Sequence, residues 1–519
     1  MKRQPFRSVL VANRGEIAVR LLTAAREMGL RTVAVYSDAD VGALHVCAAD
    51  RAERLGPAPA RESYLRIDAV IDAARRSGAE AIHPGYGFLS ENAALPEACE
   101  EAGLVFIGPP ASAMRALGDK AAARQLAQRM GVPTVPGYDG EDQSDATLAR
   151  EAAAIGWPLL VKPSAGGGGK GMRVVPSDDT LQEALAAARR EALAAFGDER
   201  LVLERFVHPA RHVEIQVFAD AHGDVVHLFE RECSVQRRHQ KIVEESPSPA
   251  LDAKTRDAMG RAAVALTRAV GYRSAGTLEF LLAPDGSFYF LEMNTRLQVE
   301  HPVTEAITGI DLARLQLREA MGEALGRDLG LTPESIRARG HAIECRIYAE
   351  DAENGFLPAA GAVLRWRPPS GPNVRVDSGI TTGSEVSVHY DPILAKVIVW
   401  DEDRDNAIAR AQRALADTVL LGLPSNIGFL QAVLAHPAFR AGETTIDFVQ
   451  KHLAQWRPQG EPPAAVMALA LLAAQAAESA MGAGNRRPSS HGPRSDDADA
   501  FSPWDIARSF RLGEGEPAS

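Results

Sequence analysis

Two glutamates on either side of a tight turn carry the strongest chemical signal in the sequence. Glu279 and Glu292 each lie in a run typical of a β-strand, and Asp285 and Gly286 between the runs favour a two-residue type I′ turn. This turn predicts a register in which Glu279 lies directly opposite Glu292. Two like charges placed so destabilise a strand pair, and we therefore expect a cation to neutralise them.

A hard divalent cation suits this position. Asn294 shares a strand face with Glu292, because side chains two residues apart on a strand point the same way, and it adds an oxygen ligand. Mg²⁺ prefers carboxylates, water and substrate phosphates to a closed protein cage. The sequence therefore predicts a metal site formed by Glu279, Glu292 and Asn294. The alternative is an ordinary hairpin with exposed acids.

The residues that follow this strand could bind and deprotonate a small anion. Arg296 offers a planar fork of donors, which suits a small planar anion. Glu300 is close enough in sequence to act as a base on that anion. The alternative interpretation is a surface ion pair between the two side chains.

Residues 292–305, with the sequence EMNTRLQVEHPVTE, resemble the signature of biotin carboxylases in the ATP-grasp superfamily. The resemblance extends from residue 6 to about residue 457. It implies an α/β ATP-grasp fold with an N-terminal Rossmann-like domain, a mobile glycine-rich lid and a C-terminal α+β domain. The expected boundaries are 1–115 for the N-terminal domain, 116–333 for the ATP-grasp domain with its lid at about 135–203, 334–457 for the C-terminal domain, and 458–519 for a linker, a docking helix and a partly disordered region.

The first elements of the chain must form the scaffold beside the site. Residues 9–12, 15–28 and 31–36 predict a strand, a helix and a strand, which make a βαβ unit. The loop at 13–16 lacks the second and third glycines of a dinucleotide-binding fingerprint. A later glycine-containing loop carries Tyr86, and the resemblance places it on the biotin and bicarbonate side. Without the resemblance, that loop is equally well explained as turn chemistry.

A second glycine-rich loop, residues 163–172, follows a strand that ends at Lys162. The loop is not a Walker A motif, because Gly171 stands where Ser or Thr is required and a strand follows in place of a helix. We predict a hairpin flap whose backbone N–H groups approach phosphate oxygens and which moves as a lid. A flexible linker is the alternative.

The resemblance spreads the nucleotide site over much of the chain. It implies that residues 201–207 hydrogen-bond adenine through their backbone, with Arg205 standing where lysine is expected. Read without it, residues 232–245 are a solvated polar loop. The implied ATP-binding residues are Lys120, Lys162, Gly166, Gly167, Gly168, Gly169, Glu204, Arg205, Val207, His212, Gln236, His239, Glu279 and Glu292.

The resemblance also implies the reaction. ATP phosphorylates bicarbonate to carboxyphosphate, which decomposes, and the CO₂ released carboxylates N1 of biotin. The implied catalytic residues are Glu300, Arg296, Arg346 and Lys241, and the residues that bind bicarbonate or biotin are Tyr86, Lys241, Arg296, Gln298, Val299, Glu300 and Arg346. A structural, ion-paired core arginine is the alternative for Arg346.

Composition limits the classes of function. The net charge of −11 and the pI near 5.7 argue against nucleic-acid binding, which requires a basic footprint. Four scattered cysteines indicate neither a disulfide framework nor a zinc site, and we expect a cytoplasmic protein. The apolar stretch at 464–481 is rich in alanine and contains charge, so it predicts a docking helix and no membrane span.

The implied cofactors are ATP, Mg²⁺ or Mn²⁺ as two ions, and biotin bound to a carrier. In the family that the sequence resembles, biotin is attached to a lysine that directly follows a methionine in the carrier domain. The only Met-Lys pair in this sequence is Met1-Lys2, so we expect no covalent biotin on this chain. The carrier domain would come from another polypeptide or from a C-terminal extension. Other expected partners are a carboxyltransferase β subunit and a second copy of this chain. A short segment at 501–512 resembles the carrier-side linker of acyl-CoA carboxylase α subunits, especially the methylcrotonyl-CoA type.

Two alternatives to this function are considered. One is another ATP-grasp ligase, such as a carbamoyl-phosphate or purine-pathway enzyme. The other is an ATP-binding scaffold subunit that has lost catalysis, which the presence of Glu279, Glu292, Arg296, Glu300 and Arg346 argues against.

Overall fold

The computed structural model describes residues 6–118, 120–164, 171–238, 240–458, 464 and 466–472, without the side chains of residues 120, 121 and 196. The chain divides into two compact units, residues 1–458 and 459–519. In the second unit, residues 466–472 are helical, as predicted, and the rest of the expected docking helix lies outside the described residues apart from residue 464. None of the helices in the described ranges combines the length and apolar character that crossing a membrane requires.

The N-terminal part is a parallel sheet covered by helices. Buried apolar runs form its strands, and α1 packs on it through Ile17, Leu21 and Leu22, which recur at helical spacing. Its strands are β1 (Ser8–Val11), β2 (Arg31–Ser37), β3 (Arg51–Gly56), β4 (Ala81–His83) and β5 (Val105–Phe106), in the order β3-β2-β1-β4-β5. Its helices are α1 (Gly15–Glu27), α2 (Leu44–Ala48), α3 (Ile67–Ser77), α4 (Ala94–Glu101) and α5 (Ala111–Gly118).

A small antiparallel sheet follows. Leu159, Val161 and Leu203 point into its own apolar core, while Leu160, Lys162 and Glu204 alternate with them. Its strands are β6 (Gly137–Tyr138), β7 (Leu159–Pro163), β8 (Arg173–Val175) and β9 (Leu201–Arg205), in the order β6-β9-β7-β8. Helices α7 (Asp145–Ile155) and α8 (Leu181–Phe196) pack on it, whereas α6 (Lys120–Arg129) contributes Ala123 and Ala127 to the core of the large sheet described next.

The rest of the first unit is built on one antiparallel sheet of eight strands. In chain order, the strands of the large sheet and of the small two-stranded sheets beside it are β10 (Arg211–Ala219), β11 (Val225–Arg237), β12 (Gln240–Ser246), β13 (Ser274–Leu282), β14 (Phe288–Asn294), β15 (His341–Tyr348), β16 (Glu350–Asp351), β17 (Leu357–Pro358), β18 (Gly361–Ala362), β19 (Arg365–Arg367), β20 (Val374–Ser378), β21 (Glu385–Val386), β22 (Ile393–Asp401) and β23 (Val419–Leu421). The large sheet has the order β14-β13-β10-β11-β12-β15-β22-β20, and β16 to β19, β21 and β23 form two-stranded pairs. Pairing of β12 with β15 therefore continues the sheet across residue 333, where the sequence predicts a domain boundary.

Helices cover this sheet and complete the cores beneath it. They are α9 (Ala253–Ala269), α10 (His301–Thr308), α11 (Leu312–Ala320), α12 (Leu325–Leu329), α13 (Arg404–Asp417), α14 (Ile427–Ala435), α15 (Pro437–Arg440) and α16 (Phe448–Leu453). Helix α9 begins after Asp252, whose side chain accepts a hydrogen bond from Thr255 N. Helix α10 begins directly after Glu300, the predicted base. Glu300 therefore lies at the end of the short loop that connects β14 to α10.

In the hairpin between β13 and β14, Glu279 has the strand partner that the sequence predicts, but the turn differs from the predicted one. Glu279 lies opposite Glu292, but Leu282 pairs with Phe288, and Ala283 N donates a hydrogen bond to the carbonyl of Ser287, which leaves the three residues 284–286 as the loop. Gly286 has a φ of +83°, while Asp285 is not among the residues with positive φ, so the predicted type I′ turn is wrong. The longer loop shifts the pairing by one residue, and an irregularity next to Glu279 restores it.

Candidate functional site

A cavity of about 890 Å³ is lined by residues of both the small sheet and the large sheet. It contains every predicted site residue whose side chain the structure describes, except Tyr86. These residues are Lys162, Glu204, Arg205, Val207, His212, Gln236, Lys241, Glu279, Glu292, Asn294, Arg296, Gln298, Val299, Glu300 and Arg346. The residues that the resemblance implied thus line one continuous cavity, although they come from segments that are far apart in the chain.

Tyr86 lies beside the site and is not part of the cavity lining. Its hydroxyl donates a hydrogen bond to Glu16, and its ring centroid is 5.9 Å from Lys396 Nζ. The loop that carries it is held by Asn13, whose amide donates to the carbonyl of Tyr86 at 2.7 Å. The predicted roles of Gly166 to Gly169, of His239 and of the Lys120 side chain lie outside what the structure describes.

The facing acids are part of a row of three. Glu214 pairs with Glu279 across β10 and β13, and Glu279 pairs with Glu292 across β13 and β14. Glu279 is buried, so the alternative of a hairpin with exposed acids is wrong for that residue. Carboxylates on adjacent strands, with the amide of Asn294 on the same edge strand, form the oxygen-rich donor set that Mg²⁺ prefers. The residues present therefore fit the predicted metal.

Sequence reasoning missed Glu214. It lies two residues after His212 on the same face of β10, and this alternation was the available signal. His212 Nε2 lies 3.2 Å from Glu279 and 3.8 Å from Glu214, so the imidazole joins the two acids. Arg231 was missed as well; it is fully buried and its Nε donates to Glu214 at 2.5 Å.

Lys241 is the central cation of the site. Its ammonium donates to Glu214 at 2.6 Å, to Glu279 at 2.8 Å and to Glu300 at 2.6 Å. Burial opposes the charged form, but these three carboxylates hold the pKa of Lys241 well above its ordinary value. Lys241 is carried by β12, and residues 232–245 fall largely within the buried strands β11 and β12, so the alternative of a solvated loop is wrong.

Glu300 is a fully buried carboxylate held between two cations. In addition to Lys241, it accepts a hydrogen bond from Arg346 Nη2 at 3.0 Å. Burial alone would raise the pKa of Glu300, but Lys241 and Arg346 hold it well below its ordinary value. Arg346 also pairs with Glu244 at 2.5 Å, so the guanidinium bridges two acids at the cavity wall.

Arg296 does not pair with Glu300, so the alternative of a surface ion pair between them is wrong. Its Nε lies 3.1 Å from Glu91, a residue of the N-terminal part, and its Nη2 donates to Asn294 at 3.1 Å. A weaker contact joins its Nη1 to the amide oxygen of Gln298 at 3.4 Å. The guanidinium is therefore oriented within the cavity by groups on both sides.

The opposite wall of the cavity carries a further cluster of paired charges around Glu204. Lys162 Nζ lies 2.6 Å from Glu204, which also accepts a hydrogen bond from Arg124 at 3.1 Å. The Arg205 side chain is exposed, and its backbone N–H donates to the carbonyl of Pro136. The substitution of arginine for the expected lysine thus lies at the surface of the strand.

Two buried glutamates near the site should make the stability of the fold depend on pH. Burial raises the pKa of Glu244 to about 7 although Arg346 opposes the shift, and burial raises the pKa of Glu16 to about 7 although Lys396 opposes it. Between their ordinary pKa and about pH 7, the folded state therefore binds more protons than the unfolded state. Each carboxyl is expected to contribute a loss of about 1.4 kcal/mol in stability from pH 6 to pH 8, whereas the buried histidines His45, His83 and His301, whose pKa burial lowers, contribute in the opposite direction.

Urea unfolding followed by tryptophan fluorescence at pH 6, 7 and 8 measures this loss. Relative to the unmodified chain, the variants Glu244→Gln and Glu16→Gln should each lack about 1.4 kcal/mol of the loss between pH 6 and pH 8, because each lacks one titrating group. An unchanged slope in both variants would show that these carboxyls do not titrate in this range.

A small antiparallel sheet that faces a larger one across a cavity with opposed acids and paired lysines defines an ATP-grasp protein. Three family models match consecutive parts of this chain. They are the biotin carboxylase N-terminal domain at residues 5–114, the carbamoyl-phosphate synthase L chain ATP-binding domain at 119–328, and the biotin carboxylase C-terminal domain at 344–451.

Known proteins agree with these matches. The chain is 49% identical to a biotin carboxylase from Nostoc sp., over 86% of this chain and 99% of that protein. It is 50% identical to the mitochondrial methylcrotonoyl-CoA carboxylase subunit alpha of Dictyostelium discoideum, over 91% of this chain and 68% of that protein. The crystal structure of the biotin carboxylase domain dimer of Hydrogenobacter thermophilus 2-oxoglutarate carboxylase, with MgADP, ADP and bicarbonate, superposes with a TM-score of 0.82 at 43% identity, covering 86% of this chain and 98% of that one.

The chain therefore belongs to the biotin carboxylase family, whose members carry out ATP-dependent carboxylation of biotin. The predicted fold class and enzyme class are confirmed. The flanking matches favour this family over another ATP-grasp ligase. The chain spans 60% to 68% of the length of the methylcrotonoyl-CoA carboxylase α subunits that it matches.

Proposed function

We propose that this chain uses ATP and bicarbonate to carboxylate N1 of biotin, with the residues of the 890 Å³ cavity in the roles given below. The observation that carries the proposal is the buried chain of contacts Lys241–Glu300–Arg346. It joins a carboxylate, which can take a proton, to a guanidinium, which can stabilise an anion. The row of acids that suits a metal contacts the same lysine.

The nucleotide end of the cavity binds ATP and its metal. Glu279, Glu292 and Asn294 hold Mg²⁺, which when bound neutralises charge on the β- and γ-phosphates. Lys162 contacts phosphate oxygens, and the resemblance adds Lys120 and His239. Phosphoryl transfer requires positioning and charge neutralisation more than a protein nucleophile, and this wall supplies cations and acids in that arrangement.

Bicarbonate binds between Arg296 and the loop that leads to Glu300. Arg296 and Gln298 donate hydrogen bonds to its oxygens, with Val299 beside them. Glu300 accepts the proton of bicarbonate as the bicarbonate oxygen attacks the γ-phosphate, and the bond between the γ-phosphorus and ADP breaks, so that ADP leaves. Because Lys241 and Arg346 hold its pKa low, Glu300 is ionised before bicarbonate arrives. A phosphate that draws Lys241 away would make Glu300 a stronger base.

Carboxyphosphate then divides into CO₂ and phosphate. The phosphate takes the N1 proton of biotin, and the resulting nitrogen attacks the carbon of CO₂. Negative charge develops on the ureido oxygen, and Arg346 donates hydrogen bonds to it. The guanidinium is suited to this task because Glu300 and Glu244 fix its position before biotin binds.

The wider assembly is also a proposal. Identities of 50% to 53% to methylcrotonoyl-CoA carboxylase α subunits support an acyl-CoA carboxylase of that type, with the carrier on another chain or on a further segment and with a carboxyltransferase β subunit. The dimer formed by the biotin carboxylase domain of H. thermophilus 2-oxoglutarate carboxylase supports a homodimer. The domain boundaries at residues 115, 333 and 457 remain our proposal.

Release of ADP from ATP tests the function. We expect cleavage that requires bicarbonate, increases with free biotin, and yields carboxybiotin in an equal amount. Ammonia in place of biotin is the control and should not increase the rate. Cleavage stimulated by ammonia and unaffected by biotin would indicate a carbamoyl-phosphate type of ligase instead. ATP binding without cleavage under any of these conditions would indicate an inactive scaffold subunit.

A further inference from the structure

Lys396 is a fully buried lysine outside the set of residues to which the function above gives a role. It lies on β22, directly opposite Arg346 on β15. Its ammonium is 3.5 Å from Glu16 on α1 and 3.6 Å from Asp377 on β20. Burial opposes the charged form, yet Glu16, Glu344 and Asp377 raise its pKa, so the lysine remains protonated. A buried ammonium connects three separate parts of the fold at this point.

The same ammonium also contacts the backbone of residues 298–300, the segment that the proposed function places beside bicarbonate. Lys396 Nζ donates a hydrogen bond to the carbonyl oxygen of Val299 at 2.8 Å. That carbonyl belongs to the peptide whose nitrogen is that of Glu300. The preceding carbonyl, of Gln298, lies 2.8 Å from Nδ1 of the buried His301, which must donate because a carbonyl only accepts. Buried side chains therefore fix two consecutive peptides of the loop.

These contacts fix Glu300 at both ends. Its side chain is held by Lys241 and Arg346, and its backbone is held through the Val299 carbonyl by Lys396. An ion pair with Glu16 and Asp377 would satisfy the charge of Lys396 without any contact to the loop. The hydrogen bond to Val299 is an additional, charge-assisted interaction, and it is directed at the segment that carries the proposed base.

We propose that Lys396 is a positioning residue for biotin carboxylation: its hydrogen bond to the Val299 carbonyl sets the peptide before Glu300, so that Val299 and Glu300 face bicarbonate in the productive geometry. The inference rests on the function proposed above for these two residues. Lys396 does not line the cavity, so it acts through the loop and not on the substrate. Its loss should weaken the use of bicarbonate while ATP binding, on the other wall, stays intact.

The test compares two variants that differ only at Lys396. Lys396→Met combined with Glu16→Gln removes the ammonium together with one of its acidic partners, which avoids an extra uncompensated charge. Glu16→Gln alone keeps the donor to Val299. We expect the double variant to lose about 10- to 100-fold in kcat/KM for bicarbonate relative to Glu16→Gln, with KM for ATP unchanged within about twofold. Lys396→Arg, which retains a charged donor, should recover part of the loss.

Several outcomes would overturn the inference. Equal kcat/KM for bicarbonate in the double variant and in Glu16→Gln would show that the contact with Val299 does not matter. Equal losses for bicarbonate and ATP would show a general structural role. Failure of the proposed function itself is distinguishable, because the unmodified chain would then show no bicarbonate- and biotin-dependent cleavage of ATP.

Discussion

Replacing Glu300 with glutamine is expected to reduce bicarbonate-dependent cleavage of ATP by about 10²- to 10⁴-fold, the usual contribution of a positioned base. Glutamine keeps the size and one acceptor oxygen of the side chain but cannot take the proton of bicarbonate. The fold should survive, because Lys241 retains Glu214 and Glu279 as partners, and Arg346 retains Glu244. Steady-state rates with varied bicarbonate measure the loss.

Nucleotide binding is the internal control for Glu300→Gln. The dissociation constant for ATP, measured by calorimetry, should change little, because Glu300 is assigned to proton transfer and not to the nucleotide. Glu305→Gln is a matched control variant, since Glu305 is a buried glutamate of the same segment that lies outside the cavity lining. Turnover at the unmodified rate in Glu300→Gln would remove this residue from the mechanism.

The hairpin shows how much of the site could be predicted from local sequence. Alternation and turn residues predicted both strands and the Glu279–Glu292 pair, and the structure confirms them. The turn type was wrong, because a three-residue loop is also compatible with Asp285 and Gly286. The site kept its predicted geometry only because an irregularity in the ladder compensated for the extra loop residue. No sequence pattern in the hairpin indicates that irregularity.

Pairing between distant strands explains what sequence reasoning missed. Glu214 becomes part of the acid row only because β10 pairs with β13, some 60 residues later in the chain. Lys396 reaches Val299 because β22 joins the large sheet through β15. Both contacts depend on sheet order, which period-two alternation within a single strand does not determine.

The burial of the polar segment at 232–245 also depends on contacts with distant parts of the chain. A dense run of charged residues ordinarily indicates exposure, because burying an unpaired charge is costly. Here Glu232, Glu244 and Glu245 are buried, and each has a cationic partner supplied by another element, such as Arg346 for Glu244 and Arg404 for Glu245. Charge density alone could not show that the partners exist.

The second large effect is expected when one of the three acids in the row, Glu292, is replaced. Glu292→Gln should reduce Mg²⁺-dependent turnover by about 10²-fold or more, because a carboxylate ligand is replaced by a weaker neutral amide. Raising the Mg²⁺ concentration should recover part of the activity. Without metal the variant should be at least as stable as the unmodified chain, since Glu292 lies directly opposite Glu279 and removing one of two facing charges relieves their repulsion.

Two measurements decide this prediction, and both use the same hairpin for comparison. Thermal unfolding in EDTA reports the stability of the metal-free form, and turnover at increasing Mg²⁺ reports the apparent affinity for the metal. Asp285→Asn is the matched control, because it removes a carboxylate from the turn of the same hairpin, where Asp285 accepts a hydrogen bond from Ser287 N and contributes nothing to the cavity lining. This control should keep the Mg²⁺ dependence of the unmodified chain. A Glu292→Gln variant that is fully active and less stable without metal would show that the facing carboxylates do not form a metal site.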